Sequence, residues 1–141
     1  KWFEHDFDSP YLLHVADVKK DKRLAITEEE LALSGIEKLN IPRSSVPAIT
    51  HIDYSARIQT VHKETNPRYH ALISEFKKKT GCPMIINTSF NIRGEPIVCS
   101  PKDAFRCFMG NDLDILVIGN YIMLKIEQKQ VRSYKNKYQL D

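Results

Sequence analysis

The chain has 141 residues, of which 42% are hydrophobic and 28% charged; it can bury one core and is too apolar to be disordered over most of its length. A formal net charge of +3 favours phosphate ligands but falls short of the basic bias that nucleic-acid binding needs. Three cysteines, Cys82, Cys99 and Cys107, without a CxxC pair argue against a disulfide framework or a zinc ribbon and for reduced, buried thiols in a cytoplasmic protein. No apolar run approaches the about 20 residues that span a bilayer, so no membrane partner is expected. The opening Lys1-Trp2-Phe3 is neither a signal peptide nor a start methionine, which suggests a piece of a longer chain.

In chain order, Tyr11–Val18 reads as a largely buried strand. Thr27-Glu28-Glu29-Glu30 forms a capping box for a helix running to about Lys38, weakened by Gly35. Asn40–Ser45 is a loop. Val46–Val61 has strand composition in both halves, broken at Asp53-Tyr54-Ser55. Asn66-Pro67 starts a helix whose Tyr69, Leu72, Ile73 and Phe76 form an apolar face, and Lys77–Lys79 and Gly81 close it. That face is expected to pack on the sheet. Met84–Ile86 and Pro96–Cys99 read as short strands, Ser100-Pro101 opens a helix ending near Gly110, and Leu113–Ile118 and Tyr121–Ile126 are strands joined at Gly119-Asn120. From Glu127 the chain is a polar, lysine-rich tail. The expected fold is α/β, a twisted mixed β-sheet with covering helices.

Two stretches carry candidate chemistry. In Asn87–Pro96 an apolar strand runs into Asn87, Thr88, Ser89 and Asn91, which can hydrogen-bond phosphate or carbonyl oxygens. Arg93 adds a permanently charged planar fork, and Gly94 lets the backbone approach a ligand. On composition alone the stretch is equally an ordinary polar turn. In His51–Val61, alternation puts Arg57 and Gln59 on one strand face as a clamp for phosphate or carboxylate. His51 and Asp53 also share a face and could be an acid/base pair, part of a metal site, or a local ion pair on a half-exposed strand. His5, His14, His62 and His70 lack partners at ligand spacing, and nothing marks a cysteine with a depressed pKa.

Taken together, Ser9–Val18, Val46–Val61, Asn66–Phe76, Thr80–Phe108 and Leu113–Gly119 resemble the C-terminal region of the nodulation- and antibiotic-type O-carbamoyltransferases. The likeness covers residues 2–126, is weakest over Leu24–Ser45, and is absent from the tail, 127–141. Its most specific element is Thr88-Ser89-Phe90-Asn91-Ile92-Arg93-Gly94-Glu95-Pro96, similar to the TSxNxxGxP motif of the YrdC-like threonylcarbamoyl-AMP synthases.

The resemblance implies a YrdC-like fold, here a partial domain. It assigns Ser89 and Asn91 to the nucleotide phosphates. Together with the polar and charged residues singled out above, the catalytic candidates are Arg57, Ser89 and Asn91, and the nucleotide-binding candidates are Arg57, Gln59, Asn87, Thr88, Ser89, Asn91, Arg93 and Gly94. The implied ligands are carbamoyl phosphate and ATP, the latter with Mg. The implied chemistry cleaves carbamoyl phosphate to carbamate, which attacks the α-phosphate of ATP and gives carbamoyl-adenylate and pyrophosphate. An N-terminal transfer domain, which holds an iron and has no counterpart in this chain, then passes the carbamoyl group to a hydroxyl. The family's Lys-x-Arg element also has no equivalent in Lys1–Pro10, so the isolated chain is expected to be inactive. Competing readings are a noncatalytic interaction module and an RNA-binding module, the latter suggested by Lys125, Lys129, Arg132, Lys135 and Lys137.

Overall fold

The computed structural model describes residues 2–129. Two compact units divide the chain, Lys1–Ile86 and Asn87–Asp141.

The first unit is organised by three antiparallel strands in the order β1 (Phe3–Glu4), β2 (His14–Val18), β3 (Ser55–Ile58). Their register pairs Phe3 with Val18 and Ala16 with Ala56. Alternation then divides the side chains by face. Ala16, Val18, Ala56 and Ile58 are buried on one. Val15 and Arg57, paired across the ladder, are exposed on the other. Tyr11–Val18 is therefore a half-buried strand rather than a largely buried one, and it starts only at His14. Leu12, at φ 60°, is left-handed and cannot continue a pleated strand.

The first half of Val46–Val61 forms no strand: Pro47–Ile49 make a 3-10 turn, since Pro47 has no N–H for a ladder. Ser9 ties the end of β3 to the N-terminal segment. Its hydroxyl donates to the Ile58 carbonyl (3.0 Å), and its N–H donates to Thr60 Oγ1 (2.9 Å).

Helix α1 spans Glu28–Ala32 and opens with the expected capping box: the Glu30 N–H donates to Thr27 Oγ1 (3.2 Å) and the Thr27 N–H to Glu30 Oε2 (2.8 Å). It stops well short of Lys38, because Leu33 turns extended and Gly35 is left-handed (φ 59°). The loop after the Glu37–Asn40 turn is tied down rather than free in solvent, for Ile41, Arg43 and Ser44 are buried. The Arg43 guanidinium donates to the carbonyls of Ile41 (3.0 Å) and Lys38 (2.5 Å). Those bonds satisfy the C-terminal carbonyls of the Glu37–Asn40 3-10 helix.

Helix α2 runs Pro67–Thr80, with Asn66 accepting from the Tyr69 N–H (3.3 Å). Its expected packing is overturned. Leu72 is 57% and Phe76 40% exposed, and no α2 residue is buried. Period 3.6 specifies which side chains share a helix face, not what covers that face. The buried sheet face itself consists of Ala16, Val18, Ala56 and Ile58. Gly81 closes α2 at φ 77°, its N–H donating to the Lys77 carbonyl (2.8 Å). A Cβ there would meet nothing within 4 Å, so only backbone conformation opposes substitution. Gly81→Ala should cost about 1 kcal/mol and lower the thermal midpoint by roughly 3 °C in a melt followed by circular dichroism.

In the second unit, helix α3 (Pro101–Gly110) begins at Ser100, whose Oγ accepts from the Asp103 N–H (3.1 Å). Ala104, Cys107 and Phe108 lie one turn apart and are buried. Strands β4 (Ile115–Ile118) and β5 (Tyr121–Leu124) pair antiparallel as expected, and Leu116 is buried with the α3 face.

The α/β class holds, but every strand pairing among the described residues is antiparallel, so the expected mixed sheet is corrected to two small antiparallel ones. Met84–Ile86 and Pro96–Cys99 join no ladder. Their apolar runs are too short to distinguish a strand from an extended segment. Of the tail, 130–141 lies outside the described residues, Arg132, Lys135 and Lys137 included. Lys125 is not a free cation, since its ammonium donates to the Phe108 carbonyl (3.1 Å) and to the Asn111 carbonyl and sits over the Phe108 ring. Among the described residues no helix is long and apolar enough to cross a membrane.

Candidate functional site

The candidate residues fall in both units: Arg57 and Gln59 in the first, Asn87 to Gly94 in the second. In the second unit the segment Phe90–Val98 folds back on itself. The Glu95 N–H donates to the Ile92 carbonyl (2.9 Å) and the Val98 N–H to the Phe90 carbonyl (3.0 Å). Gly94 turns the loop at φ 85°, a conformation that side chains with a Cβ avoid. Ile92 packs against Gly110 at the end of α3, where a Cβ would lie 2.8 Å from Ile92 Cδ1.

The side chains divide by commitment. The Asn91 amide donates to the carbonyls of Ile92 (3.2 Å) and Glu95 (2.8 Å). Both of its N–H groups hold the loop and only its oxygen is left for a ligand. Thr88 Oγ1 donates to the Ser89 carbonyl (3.1 Å). Ser89 and Arg93 are exposed, and neither side chain has a partner among the described residues. Asn87 is exposed as well. Glu95 is ion-paired to Arg106 (3.9 Å), which also reaches Asp103 (3.7 Å). The sequence reading missed this brace, since Glu95 and Arg106 share no element. Asp103 is held below the usual carboxylate range, first by the Ser100 hydroxyl.

In the first unit Arg57 stands on the exposed face of β3 with no partner among the described residues. Gln59, beyond the strand end, donates from its amide to the Pro10 carbonyl (2.8 Å), a tether more than a clamp. His51 and Asp53 are not joined directly and do not lie on a strand. Both bind Ser55, which the sequence reading did not single out. Ser55 donates from Oγ (2.6 Å) and from N–H (3.0 Å) to Asp53 Oδ1, and its Oγ lies 2.9 Å from His51 Nδ1. The turn is completed by the His51 N–H donating to the Ser55 carbonyl (2.8 Å) and by Tyr54 at φ 65°. The signal available in sequence was an Asp two residues before a Ser, the spacing of an Asx turn.

The Ser55 hydroxyl and N–H lower the Asp53 pKa below its ordinary 3.8. Because the folded value is depressed, the stabilising bonds are present above the unfolded pKa and lost as pH falls through the folded one. A carbon-13 titration should put the Asp53 carboxyl midpoint below 3.8, and Ser55→Ala should return it toward 3.8; an unmoved midpoint would contradict the assigned bonds.

Among the described residues no three His, Cys, Asp or Glu side chains gather to hold a metal. Cys107 is buried and its thiol is pushed up by desolvation, the reverse of what a nucleophilic thiolate requires.

A family profile described as Carbamoyltransferase C-terminus matches residues 1–125. The chain belongs to the carbamoyltransferase C-terminal family. It is 54% identical to an uncharacterized protein of Synechocystis, over 99% of this chain and 23% of that protein. It is 51% identical to the nodulation protein NolO of Bradyrhizobium diazoefficiens, over 55% of this chain and 14% of NolO. It is 29% identical to the 3'-hydroxymethylcephem-O-carbamoyltransferase of Amycolatopsis lactamdurans, over 85% of this chain and 19% of that enzyme. The chain thus spans less than a quarter of each of these relatives.

Proposed function

We propose that this chain is the carbamoyl-phosphate- and nucleotide-handling part of an O-carbamoyltransferase, working in the cytoplasm with a separate transfer domain. The observation that carries the reading, beside the family match, is the loop on α3. It is fixed by Asn91 while Ser89 and Arg93 stay uncommitted. Donors held ready on a braced backbone fit phosphate oxygens without reorganising when the ligand arrives. Arg93 supplies a charged fork and Ser89 a neutral donor; on the first unit, Arg57 is an exposed cation suited to the same class of ligand.

Their task is positional. Carbamate and a nucleotide triphosphate repel one another, and screening that repulsion lets carbamate reach the α-phosphate in line, releasing pyrophosphate. A divalent ion would ride on the nucleotide phosphates. YrdC-like architecture is part of the same reading, supported by the TSxNxxGxP pattern of Thr88–Pro96.

The test is ATP titration by calorimetry on this chain, together with pyrophosphate release from ATP and carbamoyl phosphate in the complete enzyme. Binding that weakens in Ser89→Ala and Arg93→Ala is expected. Wild-type binding and release in the double variant would overturn the assignment.

A further inference from the structure

The turn leading into β3 carries a histidine with a defined protonation pattern and no assigned task. Ser55 has a single hydroxyl proton, and it is given to Asp53 Oδ1 at 2.6 Å, because a carboxylate can only accept. The contact at 2.9 Å between Ser55 Oγ and His51 Nδ1 must then be donated by the ring. Neutral His51 therefore bears its proton on Nδ1, and its lone pair is on Nε2. His51 is exposed while Ser55, its anchor, is buried.

The anchor also fixes where the ring sits. Ser55 and Arg57 are two residues apart on β3, so their side chains leave the same face about 7 Å apart. An imidazole bonded to Ser55 Oγ lies on the face that carries the unpartnered Arg57 guanidinium. Tyr54, left-handed at φ 65° between Asp53 and Ser55, maintains this turn against the ordinary preference of an aromatic residue. Its ring is covered by the Arg23 guanidinium at 4.9 Å.

We propose that His51 and Arg57 read one small ligand together, Arg57 taking its anionic group and His51 Nε2 accepting a hydrogen bond from its N–H. Guanidinium and hydroxyl donors satisfy phosphate and carbonyl oxygens, but an amide NH2 needs an acceptor, and a neutral imidazole locked with Nε2 bare is one. The ligand class is an acyl phosphate with a terminal amide, carbamoyl phosphate. This rests on the function proposed above and adds the residue that distinguishes carbamoyl from other acyl phosphates.

Acetyl phosphate replaces the NH2 by a methyl of similar size and is the discriminating probe. Nitrogen-15 NMR of the histidine rings in the whole chain should show His51 as the Nδ1–H form, reverting toward the commoner Nε2–H form in Ser55→Ala. Titrations should show wild type preferring carbamoyl over acetyl phosphate by about five-fold, the worth of one hydrogen bond. His51→Phe should bring the ratio to about one with acetyl phosphate affinity unchanged, whereas Arg57→Ala should weaken both alike. An Nε2–H tautomer in wild type, or a preference that survives in His51→Phe, overturns the proposal. Equal binding of both acyl phosphates to wild type sinks the role of His51 and leaves the phosphate-handling reading standing. Failure of either to bind sinks both.

Discussion

Arg57→Ala is expected to reduce pyrophosphate release in the complete enzyme by ten- to a hundred-fold while leaving the melting curve of the protein in place. The two halves of that expectation have separate origins. Arg57 is exposed on β3, opposite Val15, with no partner among the described residues. Its removal breaks no internal bond, and surface changes of this kind stay within about 0.5 kcal/mol. A hydrogen bond to a charged ligand is worth roughly 1.5–3 kcal/mol, which in a transition state is one to two powers of ten in rate. Arg57→Lys should recover only part of the loss, since an ammonium keeps the charge but not the planar two-pronged contact. A stability loss matching the rate loss would show that the guanidinium holds the fold. An unchanged rate in folded protein would remove Arg57 from the site.

Local chemistry was legible in the sequence wherever one residue fixes its neighbours. The Thr27 capping box, the Asn66 and Ser100 caps, the Gly81 stop and the Gly119 turn all depend on side-chain oxygens or left-handed backbone within four residues. Elements whose definition needs a distant partner were not legible. Met84–Ile86 and Pro96–Cys99 have strand composition but join no ladder among the described residues, for a strand exists only through its ladder. Leu72 and Phe76 announce an apolar face, and their exposure shows that periodicity does not name the surface that face meets.

The same limit divides the candidate site. Ser89 and Arg93 were identified by type, and the structure leaves them uncommitted. Gln59 and Asn91 were identified by type too, yet their amides are turned onto backbone carbonyls. A polar side chain in a loop is available to a ligand only if the backbone does not claim it first, and that competition is decided by loop geometry. Ser55 was legible only as part of a strand break, because its importance lies in joining His51 to Asp53 across a turn rather than in any motif.

Asn91 therefore makes the sharper test of how the loop works. Asn91→Ala removes two donors at once; the Ile92 carbonyl keeps the Glu95 N–H, but the Glu95 carbonyl must find water or stay unsatisfied, and the expected cost is about 1–3 kcal/mol of local stability. Asn91→Asp should be worse, because it aims carboxylate oxygens at carbonyl oxygens in a partly buried position. Pyrophosphate release should fall by ten- to a hundred-fold in Asn91→Ala, not through loss of a ligand contact alone but because Ser89 and Arg93 lose the frame that presents them. Hydrogen exchange separates the two causes. The Glu95 and Val98 amides, which donate to Ile92 and Phe90, should exchange faster in Asn91→Ala without any ligand present. If those amides keep wild-type protection while activity falls, Asn91 acts on the ligand through its side chain, and the loop is held by its backbone bonds alone.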